Sequence, residues 1–271
     1  MYNRFILSLV ILFLFTGCSV FNKNKTESSS NKIFKKSNVS LEDRFEKAKL
    51  YLSKNKFEKA KNQFQLIIQN DDGSGLSLES HLYIGESFYG LKNYEEAIYH
   101  LNYYSMFSNS IENVEKAQFM KTKCTFKMTL GYKNDQSKTF LAISSIQEFL
   151  DNFPYSSYKD EAYEMIQNLR ERIAKKHFEN GRLYLKMKKF DSAMYYFDIV
   201  ISDYYDTKYS DESKIEYIFT YIVMKQQDKA NEYFNANKLT FKSADKLKEA
   251  EQMLDDYKNG FNISGYYRLY K

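Results

Sequence analysis

The chain has 271 residues, a formal charge of only +5 from 40 basic and 35 acidic side chains, one proline and nine glycines. That is enough length and apolar content for one or two domains, and the scarcity of helix breakers points to an all-α protein. Basic residues are spread along the chain and arginine is rare. The concentrated basic face of a nucleic-acid-binding protein is therefore excluded.

At the N-terminus, Arg4 precedes an apolar run from Phe5 to Phe15, and Leu14-Phe15-Thr16-Gly17-Cys18 closes it. The run is too short for a permanent span, and a charged start, apolar centre and small residues before a cut mark a secretory signal. With cysteine after the cut, the stretch resembles a bacterial lipoprotein signal. That resemblance implies removal of residues 1–17 and acylation of Cys18, so the chain is anchored to a membrane and does not span it. A cysteine buried inside a membrane anchor fits less well, because the apolar run has already stopped at Phe15. Acylation also removes a disulfide between Cys18 and Cys124, and Cys124 reads as a small unpaired core residue.

Residues 18–40 are rich in Asn, Ser and Lys and have too few apolar side chains to offset ordering entropy, so they read as a flexible tether. Lys23, Lys25, Lys32, Lys35 and Lys36 stand against Glu27 alone. A solvated linker accounts for this strip more simply than contact with anionic head groups does. Ser19 is not aspartate and no acidic run follows Cys18, which in lipoproteins resembles retention on the periplasmic face of the outer membrane.

From 41 to 257 a repeated unit appears. It reads Ala48-x-x-Tyr51, Phe57, Ala60-x-x-x-Phe64, then Gly85-x-x-Phe88, Tyr94, Ala97-x-x-x-Leu101. It returns as Gly181-x-x-Tyr184, Phe190, Ala193-x-x-x-Phe197, and as Tyr221, then Ala230-x-x-x-Phe234. A small residue, an aromatic three on, alanine nine further and a large apolar residue four beyond is the tetratricopeptide pattern. Helix pairs of this kind stack into a solenoid with a concave wall, because one pair cannot bury its own apolar face. The pattern predicts an all-α solenoid of about five helix pairs over 41–257, with polar turns such as Ser53-Lys54-Asn55-Lys56 and Lys186-Met187-Lys188-Lys189 inside pairs.

The alanine spacing is irregular. From 60 to 97 and 193 to 230 the step is 37, but with Ala142 as the middle marker it is 45 and then 51. The third unit therefore carries an insertion, placed at Gly131 to Lys138. The longer second step requires one unusually long helix, or two run together, over Tyr158 to Lys186. Ala244, Leu247, Glu251 and Leu254 mark a capping helix, and residues 258–271 form a tail.

Phe149-x-x-x-Phe153-Pro154-Tyr155-Ser156, Ala162, Leu169-Arg170-x-x-Ile173-Ala174, Phe178, Gly181, Tyr184, Phe190-Asp191-Ser192-Ala193 and Asp203-Tyr204-Tyr205-Asp206-Thr207 follow the order found in the BamD family. The chain resembles that family over nearly its whole length. It departs from the pattern at Tyr205, where proline is usual, and at His177, where glutamate is usual. The resemblance implies a subunit of the machinery that assembles β-barrels in the outer membrane, with unfolded barrel proteins as clients and the periplasmic domains of BamA as partner.

The repeat register turns Phe45, Lys49, Leu52, Leu82, Glu86, Tyr89, Lys121 and Met128 towards the concave wall of units one to three. Such walls take extended peptides, and several of these side chains serve equally well as core between helices. The resemblance makes the peptide a C-terminal barrel strand, whose terminal carboxylate Lys49 or Lys121 would meet. It also implies docking on BamA between Phe190 and Tyr257. The tail, with Phe261, Tyr266, Tyr267, Tyr270, Arg268 and Lys271, reads either as an interface anchor or as a frayed end.

No catalytic reading stands beside this one, and no cofactor or metal is implied. His81, His100 and His177 stand apart, none with a second ligand at metal-binding spacing. Glu95-Glu96 and Asp255-Asp256 read as solvated helix faces or ends rather than convergent acids. Gly73-Ser74-Gly75 is followed by Leu76, not by the lysine of a phosphate loop. Two other classes use such repeats. A scaffold for peptidoglycan or division enzymes lacks the long helix between units three and four, and a nutrient-capturing lipoprotein adds a large ligand-binding region for which this chain has no room.

Overall fold

The computed structural model describes residues 39–71, 75–260 and 266. The signal, Cys18, the tether up to residue 38, Gly73, Ser74, and the tail residues 261–265 and 267–271 lie outside the described residues. The described residues from 40 onward form one compact unit. Among the described residues it holds eleven α-helices: α1 (Leu41–Ser53), α2 (Phe57–Asn70), α3 (Leu76–Gly90), α4 (Tyr94–Phe107), α5 (Ile111–Lys127), α6 (Ser137–Asn152), α7 (Lys159–Lys186), α8 (Phe190–Asp203), α9 (Lys208–Val223), α10 (Gln227–Asn237) and α11 (Ala244–Lys258). A short 3-10 turn, Lys238–Thr240, precedes α11. The fold is an all-α tetratricopeptide-like stack of five helix pairs, closed by α11.

The nine-residue step from aromatic to alanine has a backbone cause. Asn55, Lys92, Lys188 and Lys225 hold the left-handed conformation, with φ of 55°, 61°, 57° and 60°. Each lies four residues beyond the motif aromatic, and the next N–H bonds back to that aromatic's carbonyl: Lys56 to Tyr51 at 2.8 Å, Asn93 to Phe88, Lys189 to Tyr184 and Gln226 to Tyr221 each at 2.9 Å. This is the Schellman closure of a helix C-terminus, built without glycine at about 1–2 kcal/mol each. It turns the chain through one fixed geometry in four pairs, so the alanine of the second helix always returns against the first.

The alanines at 48, 60, 97, 142, 193 and 230 are fully buried. A Cβ on Gly85 would lie 2.7 Å from Leu101 Cγ, and one on Gly181 would lie 2.4 Å from Phe197 Cε1. In the units of Gly85 and Gly181 the small residue and the large apolar residue are thus two halves of one close contact. Gly90, which the motif did not single out, does the same against Phe57 at 2.4 Å.

Three apolar cores follow in chain order. The first centres on Phe64, Leu82, Ile84 and Leu101, the second on Phe119, Ile146, Phe149 and Leu169, the third on Phe197, Ile218, Phe219 and Leu254. The expected long helix is α7, 28 residues and about 42 Å at 1.5 Å per residue. Its first half (Ala162, Met165, Leu169) belongs to the second core and its second half (Ala174, Phe178, Leu185) to the third.

Mid-way along α7, polar side chains hold two loops. Arg172 Nη1 donates to Thr129 Oγ1 at 2.5 Å and to the Leu130 carbonyl at 3.0 Å, and Lys176 Nζ donates to the Asn134 carbonyl at 2.7 Å. These pin the inserted loop between α5 and α6, which ends one residue before Ser137 rather than at Lys138. Arg170 forks onto Asp206 (Nε to Oδ2 2.9 Å, Nη2 to Oδ1 2.6 Å) and reaches the Asp203 carbonyl at 2.7 Å, fixing the α8–α9 turn. Further on, the buried Asp211 accepts from the N–H groups of Lys242 and Ser243 at 2.9 Å each and pairs with Lys214, which ties the start of α11 to α9. Burial of Ala250, Met253 and Leu254 gives α11 its capping role.

One expectation is corrected. His81 and His100 do not stand apart: antiparallel packing of α3 on α4 brings their Nδ1 atoms to 2.9 Å. Nineteen residues of separation become adjacency across one turn. Burial holds both pKa values down at about 4, with His100 adding to the effect on His81. No group of three or more His, Cys, Asp or Glu arranged for a metal occurs among the described residues. Cys124 is buried and unpaired, and burial pushes its pKa up to about 12. No helix among the described residues is long and apolar enough to cross a membrane.

Candidate peptide cleft

α1, α3 and α5 lie side by side, and between α3, α5 and the start of α7 a cleft of about 260 Å³ opens. Its floor is aromatic. Phe119 stacks on Tyr158 at 4.4 Å with 11° between the rings, beside Tyr89 and Met120. Two ion pairs flank it: Lys116 with Glu86 at 2.5 Å and Lys123 with Glu161 at 3.0 Å. Burial alone would lower the Lys116 pKa, but the hydrogen bond and charge of Glu86 outweigh it and hold the ammonium above the ordinary lysine value. Tyr89 is held above its usual value, chiefly by burial, so its phenol is neutral and able to donate.

Of the residues that the register turned towards the wall, Glu86 and Tyr89 line this cleft. Phe45 and Leu82 are buried in the first core, Phe45 edge-on to Phe64 and Tyr83. Lys49 lies over the Phe45 and Tyr83 rings at 5.6 and 5.9 Å and pairs with Glu46, and Leu52 packs half-buried against the same core. Lys121 faces α6, 3.9 Å from Glu148, and half-buried Met128 caps the end of α5. On α5 the cleft is instead formed by Lys116, Phe119, Met120 and Lys123. The third unit has no small-x-x-aromatic marker, so register there had to be carried across an insertion. The spacing 116, 119, 120, 123 was nonetheless a readable single face.

In chemical terms the cleft offers an apolar slot whose two cations are already matched by carboxylates. An anionic group can enter only by exchanging with Glu86 or Glu161, whereas an aromatic side chain can stack directly. A second, more open depression of about 390 Å³ lies on α7 and α8, lined by Tyr184, Asp191, Ser192, Tyr195 and Tyr196.

The fold defines a class: a helical repeat scaffold of tetratricopeptide type, with an aromatic cleft between α3, α5 and α7. The profile of the YfiO family, described as "Outer membrane lipoprotein", matches residues 37–239. An outer membrane protein assembly factor BamD from Rickettsia prowazekii (strain Madrid E) is 24% identical over 251 residues, covering 93% of this chain and 96% of the relative. BamD from Caulobacter vibrioides is 22% identical over 179 residues, 66% of this chain and 59% of that protein. The chain belongs to this family of outer membrane lipoproteins, the BamD family.

Proposed function

We propose that this protein is a non-catalytic assembly factor for outer membrane proteins, held by an acylated Cys18 on the periplasmic face of the outer membrane. Similarity over 251 residues to a relative named as such a factor carries the reading. In this reading, unfolded β-barrel clients bind in the cleft of α3, α5 and α7, and the periplasmic domains of BamA dock on the surface of Phe190 to Tyr257.

The cleft suits an extended client strand. Alternate aromatic side chains would stack on the Phe119–Tyr158 floor, and a terminal carboxylate would displace Glu86 or Glu161 from Lys116 or Lys123. In this reading Lys116 and Lys123, which line the cleft, are the carboxylate partners in place of Lys49 and Lys121. Asp211 and α9 hold α11 in place, so the BamA-facing surface depends on a closed C-terminal core.

Copurification tests the reading. The tagged chain should bring down the barrel-forming BamA subunit, and truncation before Asp211 should abolish this. Recovery of peptidoglycan enzymes without BamA would replace the reading with the scaffold alternative. Photo-crosslinkers at Met120 should capture a client C-terminal peptide, and a crosslink confined to the C-terminal helices would refute the cleft.

A further inference from the structure

Between Glu96 and Glu112 the sequence has no Asp, Glu, Lys or Arg, in a chain that is 28% charged. Ala97, Leu101 and Tyr104 turn into the core, but the opposite face of α4 is not buried. Tyr99, Tyr103 and Met106 fall along one outward face of α4, and the helix ends in a tip where Met106, Phe107 and Ile111 are 75%, 55% and 78% exposed. Tyr103 stacks on His81 at 4.0 Å and meets the Phe107 ring at 4.7 Å with 51° between the planes, so the stripe is held in place from beneath. A contiguous, charge-free aromatic and aliphatic surface on a folded helix marks a contact that the chain alone does not complete.

The position of the tip says what it meets. Successive helices run antiparallel: Tyr104, near the end of α4, donates to Glu79 at the start of α3, and Phe45 of α1, Tyr83 of α3 and Lys116 of α5 lie abreast. The end of α4 and the start of α5 therefore sit at the same edge of the stack as Ser40, where α1 begins. Tyr155, 99% exposed, adds to that edge, because Ser156 beside it bonds to Glu115 of α5 at 2.6 Å. Only 22 positions separate Cys18 from Ser40. A chain of that length has a root-mean-square reach of about 26 Å if flexible.

We propose that this edge, led by Met106, Phe107 and Ile111 with Tyr99, Tyr103 and Tyr155 behind, rests on the lipid surface to which Cys18 ties the chain. Tyrosine at head-group depth and large apolar side chains just below it are what an interfacial contact requires. A tether of this length keeps the edge within reach of the bilayer, so a contact too weak to hold a free protein becomes populated. The interaction is apolar and does not depend on lysines.

The proposal rests on Cys18 as the anchor, and the test supplies that anchor chemically. The chain beginning at Cys18 is coupled through its thiol to maleimide lipid in vesicles of phosphatidylethanolamine and phosphatidylglycerol, Cys124 being buried. The protein has no tryptophan, so Phe107→Trp gives a unique reporter, and Leu141→Trp places the same reporter on an exposed residue at the opposite edge. With brominated lipid, Phe107→Trp should be quenched at least about two-fold more than Leu141→Trp. Adding Ile111→Asp should remove the difference, and raising salt to 0.5 M, about a 4 Å screening length, should leave it unchanged. Equal quenching at the two sites, or quenching at Phe107→Trp that salt abolishes, overturns the proposal.

Discussion

Gly181→Ala sets two effects of opposite sign against each other. Inside α7, alanine should stabilise the helix by about 1 kcal/mol relative to glycine. The new methyl carbon, however, would lie 2.4 Å from Phe197 Cε1, 2.7 Å from Cδ1 and 2.9 Å from Cζ. An ordinary carbon contact is about 3.5–4.0 Å. Phe197 is fully buried in the third core and its ring has nowhere to retreat, so overpacking at the upper end of the usual range, roughly 2–3 kcal/mol, applies. The net should be a loss of about 1–2 kcal/mol, and at roughly 2–4 °C per kcal/mol for a unit this large the midpoint should fall by about 2–8 °C. Thermal unfolding by circular dichroism of the Cys18→Ser chain measures it, with Gly131→Ala in the exposed loop as a control within about 0.5 kcal/mol of the parent. In the double mutant, Phe197→Leu removes the ring that clashes, so the two losses should fall short of additivity by about 1 kcal/mol or more. A Gly181→Ala chain as stable as the parent, or strict additivity with Phe197→Leu, would refute the close-contact account of the motif.

Cys18→Ser should give a chain that is exported but washes off membranes with carbonate or salt, and retention of the processed mutant would show that protein contacts hold it. Because burial lowers the pKa of His81 and His100 from 6.5 to about 4, the unfolded chain binds more protons between those values; their contribution is intact above pH 6.5 and falls as pH drops towards 4, on the order of 3 kcal/mol for the pair once solvent screening of the half-buried rings halves the roughly 3 kcal/mol of each. Urea midpoints from pH 7 to 4 should show this decline, and His100→Gln should flatten it. Arg170→Ala should lower stability by about 1–2 kcal/mol through its fork onto Asp206, and Asp206→Asn in the Arg170→Ala background should add little, which a double-mutant cycle reads. The Cys124 thiol, with its pKa near 12, should react with a maleimide only on unfolding, and labelling of the folded Cys18→Ser chain would contradict its burial.

What could be read from the sequence was what one repeat states about itself. Ala48, Gly85 and Gly181 with their alanines and large apolar partners gave the pairs, and the long step from Ala142 to Ala193 gave α7, because from Tyr158 to Lys186 Gly181 is the sole helix breaker. The aromatic floor of the cleft was not legible. Phe119 and Tyr158 are 39 positions apart in the sequence, and they meet only once the angle between α5 and α7 is set by packing. His81 and His100 failed for the same reason: their contact depends on which faces of α3 and α4 meet. Lys121 and Met128 were turned to the wall because register was extended across a unit that lacks its own marker.

α7 has one more consequence. In a solenoid of separate hairpins a unit can be duplicated or lost as a block, since each cut falls in a turn. Here the 28-residue helix serves as the second core's last helix and the third core's first. Excising the fourth pair, α7 with α8, would take a wall from both cores, and excising the third, α5 with α6, would leave the apolar first half of α7 bare. The number of pairs is thereby locked, and length can change only in the α5–α6 loop, at the turns and beyond α11.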